Sequence, residues 1–152
     1  MTEIQARRER AKAPASLLYM VKRLELAVRS RLDEVVRPAG ITALQYTALT
    51  VLERHDGMSA AQLARDSFVT AQSMADMIRT LENRGLVRRE RNPANGRELL
   101  IHLTEDGHEL LATLAGAMLA LEERMVLALS PEQADDFRQA LATAWRALSR
   151  RD

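Results

Sequence analysis

The chain has 152 residues, 47% of them hydrophobic and 28% charged, and a net charge of only +1. That balance suits one aliphatic core and excludes a generally basic, histone-like protein, while leaving room for a local basic patch. The absence of cysteine excludes disulfides, thiolate metal sites and thiol redox sensing.

No apolar run approaches the roughly 18 residues that span a bilayer. The start, MTEIQARRER, lacks the apolar segment of a signal peptide. A cytoplasmic protein with no membrane partner is expected.

About the first ten residues form a polar lead. After Pro14, Leu17, Val21, Leu24, Val28, Leu32 and Val35 recur at the helical period, until Pro38 and Gly40 end the pattern. Three short helices follow, at about 42–54, 59–66 and 70–84. Thr42 with Gln45, and Ser59 with Gln62, have the spacing of capping boxes, and Thr70 can cap the third helix. Ile41 with Tyr46, and Met58 with Leu63, are spaced as hydrophobic staples.

Gly85 stops the third helix. LVRRER, NPANG and RELLIHL then read as a hairpin, with Asn95-Gly96 as the tight turn because both residues tolerate positive φ. Leu99, Ile101 and Leu103 alternate with Leu100 and His102, as in a half-buried strand. Thr104, followed by Glu105 and Asp106, starts another helix, lined by Leu110, Leu114, Ala117, Met118, Leu121 and Met125 and ending near Leu129. Ser130, Pro131 and Gln133 open the last helix, with the stripe Phe137, Leu141, Trp145 and Leu148. The fold class is mainly α with a small β-hairpin wing: a winged helix-turn-helix flanked by N- and C-terminal helices whose apolar faces need a partner.

In the helix from Thr70, the residues Met74, Met77, Ile78 and Leu81 share an inward side. Outward remain Gln72, Ser73, Asp76 and Arg79. Glutamine can bond adenine bidentately in a major groove, serine suits a base edge or a phosphate, and Asp76 can accept from cytosine or orient an arginine. Taken alone, this is equally an amphipathic helix with a wet face. The hairpin tips the balance: Arg84, Arg88, Arg89, Arg91 and Arg97 face a single acid, Glu90, giving a local charge of +4. Arginine forks suit phosphates and narrow minor grooves. Arg97 beside the turn is the candidate tip residue, and Arg88, Arg89 and Arg91 are candidate backbone contacts. A structural winged-helix module that binds an acidic protein instead of DNA is the competing reading.

The stretch QSMADMIRTLENRGLVRRERNPANGRELLIHLTEDG resembles the MarR family of bacterial transcriptional regulators. The core match spans about Ile41 to Gly107, and the helical flanks match in layout. The resemblance implies a single MarR-like unit over 1–152, with a DNA-binding lobe at 42–103 and dimerisation helices at 12–38 and 104–150. It implies a homodimer on a pseudo-palindromic operator of double-stranded DNA, commonly as a repressor; the lack of a phosphate-cradling glycine loop and of a zinc-protease motif separately leads to the expectation of no enzymatic activity, cofactor or metal. Many relatives release DNA on binding a small, often phenolic ligand. A small aromatic or anionic effector is therefore an expected partner, and Tyr19, Met20, Arg23 and Tyr46 are candidate pocket residues, with Met118 and Met125 nearby. The family wing usually carries two aspartates where this chain has Asn92 and Asn95. The wing is accordingly expected to be more mobile and more positive, with Arg97 less firmly aimed.

The histidines His55, His102 and His108 match no metal-ligand spacing, even with Glu105 and Asp106 close to two of them.

Overall fold

A computed structural model describes residues 2–5 and 13–149. Most of the expected polar lead, and the limits placed at residues 12 and 150, therefore lie outside the described residues. Helix α1 (Leu17–Val36) runs into a short 3-10 helix (Arg37–Ala39). Then come α2 (Ala43–Arg54), β1 (Met58–Ser59), α3 (Ala60–Asp66), α4 (Ala71–Asn83), β2 (Val87–Asn92), β3 (Asn95–Leu103), α5 (Glu105–Met125) and α6 (Pro131–Ser149). This is a mainly helical winged helix-turn-helix with helical flanks.

The helix starts follow the caps written in the sequence. Thr42 and Gln45 close a full capping box, and so do Ser130 and Gln133. The Thr70 and Thr104 side chains accept from the N–H groups of Ser73 and Gly107. Ser16 caps α1 by accepting from Tyr19 N–H, a start that the periodicity alone did not mark. Ser59 caps α3, but the Gln62 amide turns away and donates to Asp66 at 3.0 Å. Ser59 already lies in a strand opposite Leu100. That two-residue strand is too short to show a period in sequence, and it makes the sheet three-stranded in the order β1-β3-β2, antiparallel throughout.

One core joins these elements. Leu49 and Leu52 from α2, Leu63 from α3, Met74 and Leu81 from α4, and Ile101 from β3 are all buried. Each such side chain contributes about 1.5–3 kcal/mol relative to exposure. The first turn of α5 presses directly on the wing root: a Cβ on Gly107 would stand 2.4 Å from the Leu86 carbonyl oxygen. Thr104 ties the same junction, donating its N–H to Leu86 O and its hydroxyl to Gly85 O.

The outer helices are only partly covered, and α6 has no buried residue. Leu17, Leu18, Val21 and Leu26 on α1 are exposed, as are Leu141, Trp145 and Leu148 on α6. Two features of the turn between α3 and α4 run against ordinary preference. Phe68 is exposed at φ 61°, a left-handed conformation unusual for a bulky residue. Beside it, the Ser67 hydroxyl is buried with no hydrogen-bond partner among the described residues.

Candidate DNA interface

Helix α4 buries Met74, Met77, Ile78 and Leu81, the side expected to pack inward. Gln72, Ser73, Asp76, Arg79 and Thr80 are exposed on the rest. Thr70 is occupied: its hydroxyl donates to Ser73 Oγ at 3.0 Å while accepting from the Ser73 N–H. It organises the helix start. Asp76 forms an ion pair with Arg79 one turn on, so the carboxylate holds a guanidinium on the outer face. Gln72 is left with an exposed amide that no side-chain hydrogen bond engages among the described residues.

The hairpin turns at Pro93-Ala94, not at Asn95-Gly96. Asn92 faces Asn95 across the turn, and neither Asn95 nor Gly96 has a positive φ. Register explains the difference. A two-residue turn at Asn95-Gly96 would pair Ala94 with Arg97 and run on to set Arg88 opposite Leu103. The observed pairing, with an irregularity at Arg91/Asn92, sets Val87 opposite Leu103 and Arg89 opposite Ile101. Val87, Ile101 and Leu103 then share the core face. Pro93, with its fixed φ, suits the first corner of the turn. Asn92 Oδ1 accepts from Ala94 N–H at 2.9 Å, and Asn95 Oδ1 accepts from Arg97 N–H at 3.2 Å. Both asparagines thus accept from main-chain N–H groups of the hairpin. Asn95 touches the Arg97 main chain and leaves its guanidinium unaimed.

The arginines divide sharply. Arg89 makes a two-pronged contact with Glu82 of α4, at 2.8 and 3.0 Å. Its hydrogen bond is the main reason that the Glu82 carboxyl lies below its usual range. Arg88 bonds Glu90 at 2.9 Å, which likewise holds the Glu90 carboxyl down. Arg84 turns away from the outer face and donates to the main-chain carbonyls of Ala39 and Gly40. Arg91 and Arg97 are the hairpin guanidinium groups that no carboxylate of the described residues holds. Three of the five arginines are therefore engaged internally: Arg88 and Arg89 by acids two and seven residues away, and Arg84 by main-chain carbonyls distant in the chain.

The sequence profile of the MarR family matches residues 41–99. The HTH-type transcriptional repressor Rv2887 of Mycobacterium tuberculosis is 31% identical over 127 residues, covering 84% of this chain and 91% of that protein. The chain belongs to the MarR family. A crystal structure of the M. tuberculosis MarR family protein Rv2887 in complex with salicylic acid is 30% identical, with a TM-score of 0.71, and covers 86% of this chain and 97% of that one. The S. aureus MepR–DNA complex, 21% identical, shares the fold with a TM-score of 0.76, covering 88% of this chain and 97% of that one. As a MarR-family member the protein is a DNA-binding transcriptional regulator and not an enzyme.

A cleft of about 500 Å³ opens between α1 and α5. Its apolar wall includes Leu24, Val28, Leu32, Met118 and Met125, and Arg31, Glu122 and Arg124 supply charge. Of the four candidate pocket residues only Tyr46 lines it. Tyr19, Met20 and Arg23 precede the α1 lining, which begins at Leu24, and Tyr19 and Met20 are exposed. The Arg23 guanidinium instead lies 5.8 Å from the centre of the Tyr19 ring. Burial, and then the Glu53 carboxylate, push the Tyr46 phenol above its usual value, so it stays protonated and able to donate. Arg31 and Arg124, not singled out from the sequence, also line the cleft, on the same helix faces as Leu24, Val28 and Leu121.

His102 belongs to a different cluster. Its Nδ1 lies 2.8 Å from Asp56 Oδ2 and its Nε2 lies 3.4 Å from Glu90 Oε2. Asp56 also accepts from Leu103 N–H at 2.8 Å. Burial alone would raise the Asp56 carboxyl, but the Leu103 N–H, the His102 ring and the Gly57 N–H outweigh it and hold it below its usual range. This cluster fastens β3 to the turn before β1. Among the described residues no group of three or more His, Asp or Glu side chains could hold a metal ion. Among them, too, no helix is long and apolar enough to cross a membrane.

Proposed function

We propose that this protein is a homodimeric cytoplasmic repressor that reads a pseudo-palindromic operator and lets go of it when a small aromatic anion occupies the cleft between α1 and α5. The carrying observation is the pairing of an open Gln72 amide on the outer face of α4 with unheld guanidiniums at Arg91 and Arg97 on the wing. Gln72 and Ser73 would meet base edges or phosphates in a major groove, and the Asp76-held Arg79 would meet the backbone. Arg97 would reach the flanking minor groove, with Arg91 on phosphate.

The 42–103 region serves as the reading lobe, and the helices within 12–38 and 104–150 join two copies. The exposed leucines of α1 and the exposed Leu141, Trp145 and Leu148 of α6 support that pairing. A dimer would set its two recognition helices about 34 Å apart, one turn of duplex. The salicylic acid bound to the relative, and this cleft's apolar wall with Tyr46, Arg31 and Arg124, support the effector class. An effector acts only through its difference in affinity for the two dimer geometries.

The test is enrichment of genomic fragments by the purified protein, followed by binding titrations on the best fragment across salt and salicylate concentration. Gln72→Ala should relax sequence choice. Arg97→Ala should weaken binding and lower the slope of log affinity against log salt by about one unit. Failure to bind any duplex at low salt would favour the protein-interaction reading.

A further inference from the structure

We infer that Arg84 is a positioning residue that sets the pose of the recognition helix from the end of α1, not a phosphate contact. Arg84 is the C-terminal cap of α4. Its guanidinium reaches back 44 and 45 residues in sequence, Nη1 donating to Gly40 O at 2.7 Å and Nη2 to Ala39 O at 2.9 Å. Those carbonyls close the 3-10 extension of α1, where helix ends lack internal partners and carry partial negative charge. A planar fork meets two successive carbonyls in a way that a single ammonium does not. Gly40 completes the seat: it sits at φ +74°, and a Cβ there would touch the guanidinium at 3.6 Å.

The same end of α1 is gripped from a second direction. Asp33 Oδ1 accepts from Ala43 N–H at 3.0 Å, at the first residue of α2. Thus α1 holds the start of α2 through Asp33 and the finish of α4 through Arg84. Gln72 lies roughly 16 Å along α4 from Asn83, at 1.5 Å per residue. A swing of about 10° at the Arg84 end would move the Gln72 Cα by roughly 3 Å, enough to break a bidentate base contact. The fork therefore governs sequence reading without touching DNA, and it links the reading helix to the helix that lines the cleft.

This inference rests on the DNA-reading proposal. The test uses the full chain with Arg84→Met and Arg84→Lys, each titrated against the duplex that the wild type enriches from a randomised library and against a scrambled duplex, over a salt series. Arg84→Met should lose about tenfold on the enriched duplex, the scale of one charge-assisted hydrogen bond. It should keep wild-type affinity for the scrambled duplex and the wild-type salt slope. Arg84→Lys, which keeps the charge without the fork, should fall short of the wild type on the enriched duplex.

Equal losses on both duplexes, with a slope reduced by about 0.9 in the Met variant and restored in the Lys variant, would identify a phosphate contact and overturn the inference. Unchanged affinity for the enriched duplex with a lowered melting temperature would leave Arg84 a merely structural residue and overturn it too. A wild-type chain that enriches no duplex sinks the DNA-reading proposal and this inference with it. Wild-type enrichment with an indifferent Arg84→Met variant sinks this inference alone.

Discussion

The Asn92 side-chain amide donates to the Glu98 carboxylate across the wing at 2.8 Å, while its oxygen accepts from Ala94 N–H. The two ends of one amide thus hold both the tip and the partner strand. An aspartate there could still accept from Ala94, but it would set a second carboxylate against Glu98. Asn92→Asp should speed amide exchange through residues 95–99 by about fivefold above pH 5, as expected for like charges facing across strands. Exchange at the wild-type rate would show that Glu98 contributes nothing to the tip.

Asn95→Asp is a different substitution, because Asn95 meets a main-chain N–H and, among the described residues, no carboxylate. The turn should survive. The added charge beside Arg97 should weaken binding to random DNA and lower its salt slope by less than about one unit. An unchanged slope and unchanged affinities for operator and random DNA would remove any role for this position in tuning the wing.

Gly107→Ala sets two effects of opposite sign against each other. Helix propensity favours alanine by about 1 kcal/mol. The Cβ, however, would meet backbone oxygen at 2.4 Å and Leu103 Cδ1 at 2.6 Å, so overpacking should win, with a net loss of about 1–2 kcal/mol. Urea unfolding reads the sign directly.

Ser67→Ala should stabilise the fold by about 1 kcal/mol, because it removes a buried hydroxyl that has no partner among the described residues. The melting temperature should rise by about 2–4 °C. A fall would mean that the hydroxyl bonds to a trapped water.

The wing root should be acid-labile. Asp56, Glu82 and Glu90 all have folded-state values below their usual ones. Such groups stabilise the fold above their unfolded pKa, and that contribution is lost as pH falls through the folded value. Stability should therefore be steady near neutrality and decline below about pH 4. Asp56→Asn should flatten that decline, measured by denaturant unfolding across pH.

Much of the frame was legible in the sequence because it is written locally. Thr42 with Gln45, Ser130 with Gln133, Thr70 and Thr104 each mark a helix start within four residues, and the inward face of α4 follows from its period. Partnerships set by the tertiary fold were not legible. Nothing near Arg84 points to Ala39, nor does anything near Arg89 point to Glu82, so the arginines read as one basic patch. The Asn95-Gly96 signal was real as a local preference. It yielded because Val87, Ile101 and Leu103 had to share the buried face, and Asn92-Pro93 offered another corner.

Because Arg88 and Arg89 are held by Glu90 and Glu82, two of the four wing guanidiniums are engaged at home, which lowers the wing's indiscriminate attraction to DNA. Its residence on unrelated sequence should be brief, and its search should run more through free diffusion between segments than through sliding along them. On crowded DNA that would keep more copies at liberty to find the sites that the proposed reading helix favours.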